Sequence, residues 1–200
     1  MPAHDEETLK FYAESAPTYA ASGKGGTSRH LGPFLAELSA GARILELGCG
    51  GGRDAQAMLA AGHSVEPTDG SPAIARKAEE LLPIPVRVMR FEELDSREAY
   101  DAVWASASLL HVPRHELPAI LAKIRAALKP GGLHHASFKA GGGEGRDRNG
   151  RYFNYLTRDE LIAAYRASGD WEVLSTSEYI GGGFDRGQGP WVAIMVRRPG

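Results

Sequence analysis

The run Ile44-Leu45-Glu46-Leu47-Gly48-Cys49-Gly50-Gly51-Gly52-Arg53-Asp54-Ala55 restricts this chain more than any other stretch. Ile44 to Leu47 reads as a short buried strand, and Ala55, Met58 and Leu59 recur at helix spacing until Gly62 closes the pattern. A strand, a tight glycine bend and a helix start form a cradle. The glycines let backbone approach a ligand closely, and the first helical N–H groups have no partner within the helix. Gly50-x-Gly52-x-x-Ala55 fits the loose dinucleotide pattern. The bend begins earlier, however, at Gly48, and in that register Arg53 stands where the third dinucleotide glycine belongs. Glu46, just ahead of the bend, would repel a pyrophosphate and attract an ammonium group.

S-adenosylmethionine carries such an ammonium, together with a carboxylate that suits free backbone N–H groups. Glu46-Leu47-Gly48-Cys49-Gly50-Gly51-Gly52 resembles motif I of the class I methyltransferases that use this cofactor.

The remaining sequence is compatible with that class. Two hundred residues suffice for one domain with a sizeable core. A net charge of −2 writes in no general attraction to nucleic acid or to an anionic membrane. Cys49 is the single cysteine, so there is no internal disulfide and no thiolate metal cluster. The first residues lack a basic segment followed by an apolar one, and no apolar run reaches membrane-spanning length. A soluble cytoplasmic protein is the expectation, with a core over residues 41–200 and a helical lid over 1–40.

Within the first forty residues the patterns predict helices over Asp5 to Tyr19 and Ser28 to Leu38, with Pro17 bending or ending the first. Ser22 to Ser28 reads as a flexible hinge ending in a capping Ser. A second strand runs from His63 to Asp69, with the awkward Pro67 near its end. Ser71-Pro72 starts the next helix, and Pro85 to Met89 suits an edge strand. Tyr100 to Ser106 is the fourth strand. The helix after it carries Leu117, Ile120, Leu121, Ile124 and Leu128, and the Lys129-Pro130-Gly131-Gly132 turn feeds a fifth strand, Leu133 to Phe138. Such alternation implies a parallel sheet covered by helices on both faces.

Thr157-x-x-Glu160 is a capping box opening a last helix. Trp171 to Ile180 and Trp191 to Arg197 then have no helix between them, so they pair as an antiparallel hairpin. A Rossmann-like α/β sandwich whose mostly parallel seven-stranded sheet ends in such a hairpin is similar to the class I methyltransferase fold, whose strand order is 3-2-1-4-5-7-6. A nicotinamide dehydrogenase would be expected to continue parallel.

The resemblance implies specific contacts. Asp69 matches the acid that takes both ribose hydroxyls, followed by Gly70. Glu46, Gly48, Cys49, Gly50 and Arg53 belong to the bend, Phe91 would stack on adenine, with Glu92 as a substitute acid for its amino group, and Ala105 and Ser106 end strand four. Cys49 is a small filler with no base beside it to make it a nucleophile. Gly51-Gly52-Arg53-Asp54 is similar to tellurite-resistance-type and related small-molecule methyltransferases. Trp104-Ala105-Ser106-Ala107 departs from the Asn/Asp-Pro-Pro-Tyr of nucleic-acid amino methylases, which argues against a DNA substrate.

Methyl transfer from a sulfonium needs alignment and exclusion of water, and a base only where the acceptor arrives protonated. The candidates for the acceptor side are His111, beyond strand four, and Arg151 with Tyr152, in a glycine-rich stretch read as a mobile loop. Arg151 and Tyr152 would grip an anionic small molecule between them and the aromatic N-terminal helix (Tyr12, Tyr19). Pro113 separates His111 from His115, and His134 and His135 alternate across a strand, so no metal site is expected. A nicotinamide-dependent oxidoreductase and a non-catalytic S-adenosylmethionine-binding protein are the alternatives. On the class I assignment, Asp69→Ala weakens S-adenosylhomocysteine binding by about 1–3 kcal/mol in calorimetry, through lost charge-assisted hydrogen bonds.

Overall fold

The computed structural model describes residues 3–22, 26–184 and 187–200, with backbone alone for 20–22. Of the expected hinge, residues 23–25 lie outside the described residues. The architecture is a seven-stranded sheet in the order β3-β2-β1-β4-β5-β9-β8. Its members are β1 (Arg43–Leu47), β2 (Ser64–Asp69), β3 (Arg87–Val88), β4 (Tyr100–Ala105), β5 (Leu128–Lys139), β8 (Glu172–Gly182) and β9 (Gln188–Arg197). Strands β3 to β5 in that order run parallel, and β9 and β8 close the sheet antiparallel. A separate hairpin, β6 (Glu144–Arg146) with β7 (Tyr152–Asn154), takes the two intervening numbers. Counted within the main sheet, the expected order holds.

Alternation along β1 explains the two-sided core. Ile44 packs with Phe34, Met58 and Trp104 on one face, while Leu45 and Leu47 join Leu121, Ile124 and Phe138 on the other. Helices α3 (Arg53–Ala60), α4 (Pro72–Glu79), α5 (Leu117–Ala127) and α6 (Arg158–Ser168) cover these faces. The capping box is formed: Thr157 accepts from Glu160 N, and Glu160 accepts from Thr157 N at 2.8 Å.

Four local expectations change. Helix α1 (Glu6–Ser22) does not end at Pro17 but continues past it, because tertiary contacts on both sides of it (Tyr12 and Tyr19) hold the helix where propensity alone would break it. Helix α2 is only Leu31–Ala36; Ser28 spends its N–H on Asp54 and its Oγ on His30 N rather than capping a longer helix. Pro67 sits inside β2, not at its fading end. Asp69 O accepts from Met89 N on the β3 side and Thr68 O from Gly48 N on the β1 side, so Pro67 shares the β3 side, which β3 is too short to reach. Lys129-Pro130-Gly131-Gly132 bulges out of β5, whose pairing with β4 jumps from Tyr100–Leu128 to Ala102–Leu133.

The glycine bend is fixed by β2. Gly48 N and Cys49 N both donate to Thr68 O, at 2.9 and 2.8 Å. Gly48 has φ +76°, and a Cβ there would lie 2.5 Å from Ser108 Cβ. Gly48→Ala therefore costs at least about 2 kcal/mol of stability, from the left-handed backbone and the overlap together. A lowered urea midpoint at unchanged m-value checks it.

Candidate functional site

Glu46 and Asp69 stand at the carboxyl ends of the adjacent parallel strands β1 and β2, where open α/β sheets bind ligands. Among the described residues Asp69 is engaged by backbone N–H groups: Oδ2 accepts from Gly50 N at 3.1 Å and Oδ1 from Ser71 N at 2.9 Å. Each oxygen keeps a lone pair, and the residue lines a cavity. Burial raises its pKa to about 6 against those two N–H bonds. Glu46 is 3% exposed, and its Oε2 is buried with no hydrogen-bond partner among the described residues. Burial, then Asp54 and Asp69 nearby, push its pKa well above the usual carboxylate range. Asp54 is satisfied by contrast, with Ser28 N at 2.8 Å and Trp104 Nε1 at 3.0 Å. Three acids converge, and one of them lacks a counterpart. A buried acid in such a position asks for a cation or a donor from outside the chain.

Two cavities meet at Gly48, Gly50, Tyr19 and Ala107. The first lies under α1 and is lined by Asp69, Gly70, Met89, Phe91, Tyr12 and His111 among others. The second is more open and carries Glu46, Cys49, Arg53, Ser106, Ser137 and Trp191. Arg29, which the sequence reading passed over, also lines it, with its guanidinium 4.5 Å from the Tyr179 ring centre. Tyr19 stands between the two, and a Cβ on Gly50 would meet its ring at 3.2 Å. Ala105 is fully buried in β4 behind the bend. Cys49 is buried, and burial pushes its thiol pKa up, so it is an inert filler of the turn. Glu92 pairs with His4.

The acceptor-side candidates separate. His111 lines the first cavity; its Nδ1 is 2.6 Å from Tyr152 O and its Nε2 2.9 Å from Tyr12 Oη. Burial, reinforced by Arg151, lowers its pKa to about 4 against the Tyr152 contact, so the ring is neutral. Arg151 is 2% exposed and committed: Nε and Nη2 both reach Asp147 Oδ2, at 3.0 and 2.6 Å, and the guanidinium lies over Phe11 and Phe153. Tyr152 donates its hydroxyl to Glu144 and accepts from Arg114 N, so its side chain turns away while its backbone holds His111. The stretch read as a mobile loop is the β6–β7 hairpin. It is tied to α1 by Arg146 on Asp5 (3.0 and 2.7 Å) and by Tyr152 N on Thr8 Oγ1 (2.8 Å). The signal available for this was the Asp147/Arg151 spacing and the β-prone run from Tyr152 to Tyr155. No cluster of three or more metal-binding side chains occurs among the described residues.

Sheet order, terminal hairpin and an acid on either side of a glycine bend together define the class I methyltransferase fold. Comparison with known proteins agrees with it. Residues 44–132 match the family described as "Methyltransferase domain". A ubiquinone biosynthesis O-methyltransferase of Xanthomonas axonopodis pv. citri is 32% identical over 142 residues, covering 64% of this chain and 59% of that protein. A protein of Eikenella corrodens named hemagglutinin 1 is 27% identical over 180 residues, 86% of this chain and 58% of that one. The chain thus spans under two thirds of these relatives. The structure of Burkholderia thailandensis 1,6-didemethyltoxoflavin-N1-methyltransferase, with its substrate and S-adenosylhomocysteine bound, superposes with a TM-score of 0.80 at 20% identity, covering 97% of this chain and 88% of that one.

The raised Asp69 pKa has a stability consequence. Between its usual value near 4 and about 6 the folded chain holds a proton that the unfolded chain has lost, so this group's contribution falls as pH rises through that window. In the ligand-free protein Asp69→Asn removes that fall, on the order of 1–2 kcal/mol for a partly exposed group. Urea titrations at pH 4.5 and 6.5 measure it.

Proposed function

We propose that this chain is an S-adenosylmethionine-dependent methyltransferase acting on a small molecule, of the tellurite-resistance type or a related small-molecule type, a reading supported by Gly51-Gly52-Arg53-Asp54 after the first strand. The observation that carries this reading is Glu46 Oε2, buried without a hydrogen-bond partner among the described residues, beside a glycine bend that admits close approach. The ammonium of an amino-acid moiety answers that orphaned acid; a pyrophosphate does not. The two remaining lone pairs of Asp69 suit a vicinal diol. Gly70 and Phe91 line the same cavity, where a purine would lie, and Arg29 and Arg53 line the cavity that would receive the carboxylate. When bound, the cofactor supplies an electrophilic methyl group on a sulfonium.

The chain's own work is binding, alignment and exclusion of water. Helix α1 with the β6–β7 hairpin acts as the cover, through the Asp5–Arg146 pair and the Thr8 contact. Tyr19 fills the space above Gly50, so its ring must turn aside for the cofactor while α1 stays docked. An anionic acceptor finds no support at Arg151, whose charge is already met by Asp147. The acceptor is placed next to Tyr12, His111 and Ser108, where the first cavity passes the bend. The expected compartment is the cytoplasm; no described helix is long and apolar enough to cross a membrane.

Thermal denaturation with both ligands at one concentration, about 100 times the Kd of S-adenosylhomocysteine, separates the cofactor classes. S-adenosylhomocysteine raises the melting temperature by about 5–10 °C, and NADH leaves it unchanged. A shift with NADH alone overturns the assignment in favour of a dinucleotide enzyme.

A further inference from the structure

His111 lies at the site, yet its free nitrogen does not face the cavity unaccompanied. A carbonyl only accepts hydrogen bonds, so the 2.6 Å contact of His111 Nδ1 with Tyr152 O puts the ring proton on Nδ1. In the neutral ring Nε2 then holds a lone pair, and the Tyr12 hydroxyl, 2.9 Å away, donates to it. Arg151 Nη1 donates to the same phenol oxygen at 3.3 Å. Tyr12 Oη thus has its proton directed at His111, one lone pair occupied by Arg151, and one lone pair left over. Tyr12 and His111 share their cavity with Gly48, Asp69 and Ser108. Every partner of the pair is fixed by another element. The β7 backbone sets the histidine tautomer, and Asp147 anchors the guanidinium. α1 carries the phenol, so the pair is assembled only with α1 docked.

Resting on the methyltransferase reading above, we propose that Tyr12 takes the acceptor's proton, with His111 behind it as the proton's destination, and that the acceptor is a weakly acidic hydroxyl, phenolic or enolic. The acceptor O–H hydrogen passes to Tyr12 Oη as the phenol's own hydrogen passes to His111 Nε2. The freed acceptor oxygen bonds to the methyl carbon, and the sulfur–methyl bond breaks with its electron pair on sulfur. The positive charge lost by sulfonium passes to imidazolium, which keeps its bond to the Tyr152 carbonyl and has Asp147 nearby; burial, Arg151 and Lys139 oppose that charge, so the proton is held only in passing. The imidazolium returns its proton to solvent when the cover opens. A neutral amine or a thioether has no proton to surrender before transfer and leaves the pair idle; a phenol needs it.

The test uses the full chain, its Tyr12→Phe and His111→Gln variants, and three readouts. Nitrogen NMR without ligand shows the His111 ring protonated on Nδ1, with the Nε2 resonance moving downfield in Tyr12→Phe. Calorimetry gives S-adenosylhomocysteine affinities within about threefold of wild type for both variants. Labelled methyl transfer is then measured to phenols and catechols of graded acidity, with primary amines and thiols as comparators. The expected result is methylation of the phenols, with kcat in Tyr12→Phe down about 100-fold or more for the least acidic and under about 10-fold for nitrocatechols, which arrive ionised. Unchanged kcat, a loss independent of acceptor acidity, methylation of amines or thiols alone, or an Nε2-protonated ring overturns the proposal. Absence of S-adenosylhomocysteine binding overturns the underlying reading instead, and the ligand-free nitrogen spectrum still decides the Tyr12–His111 bond.

Discussion

The carboxylate of Asp69 is the fastening on which the ligand-binding end of the sheet depends. It accepts one N–H from the bend after β1 and one from the start of α4. With Thr68 O taking the N–H groups of Gly48 and Cys49, the tip of β2 holds two connections in one geometry. A serine or amide there would satisfy fewer of these donors and bring no charge. The cost is an acid kept in a poorly hydrated place, visible in its raised pKa. That same unspent capacity makes it useful to a ligand.

A second fastening closes the site from above. Arg151 is buried, which is tolerable only because Asp147 takes two of its nitrogens and four aromatic rings surround it. It therefore serves as the post to which α1 and the hairpin are attached, and its charge is not on offer to a substrate. Arg114 plays a similar part at the outer end. It bonds Asn154, Glu160 and the carbonyls of Gly143 and Tyr155, which joins hairpin to α6. The sheet supplies the acids and the bend; the cover supplies Tyr12 and the tautomer of His111.

What could be read in advance divides along the same line. The strands, the terminal hairpin and the capping box at Thr157 follow from local patterns of short apolar runs, glycine turns and a Thr-x-x-Glu spacing, while the strand order was implied by the resemblance to class I methyltransferases. Asp69 and Glu46 were legible because their place is set by the strand they end. The hairpin at 144–154 was not, since glycines at 141–143, 145 and 150 erase any alternation and the contacts that tie it to α1 are far away in sequence. Helix α1 passes Pro17 for the same reason, and Ser28 leaves its capping role for Asp54. Arg151 was assigned to a substrate because its partner Asp147 lies in a tight turn, where a spacing of four is not ordinarily read as a pair.

The attachment of α1 to the hairpin joins residues 141 apart in sequence, Asp5 to Arg146. On the ribosome, β1 to β5 can emerge and pair while this cover is still missing its second half. Until residues near 152 are out, the apolar lining of the first cavity stays open to solvent and neither His111 nor Tyr12 has its final neighbour. Competence to hold a ligand is accordingly a late acquisition in the life of each new chain, arriving with the C-terminal quarter rather than with the bend that recognises it.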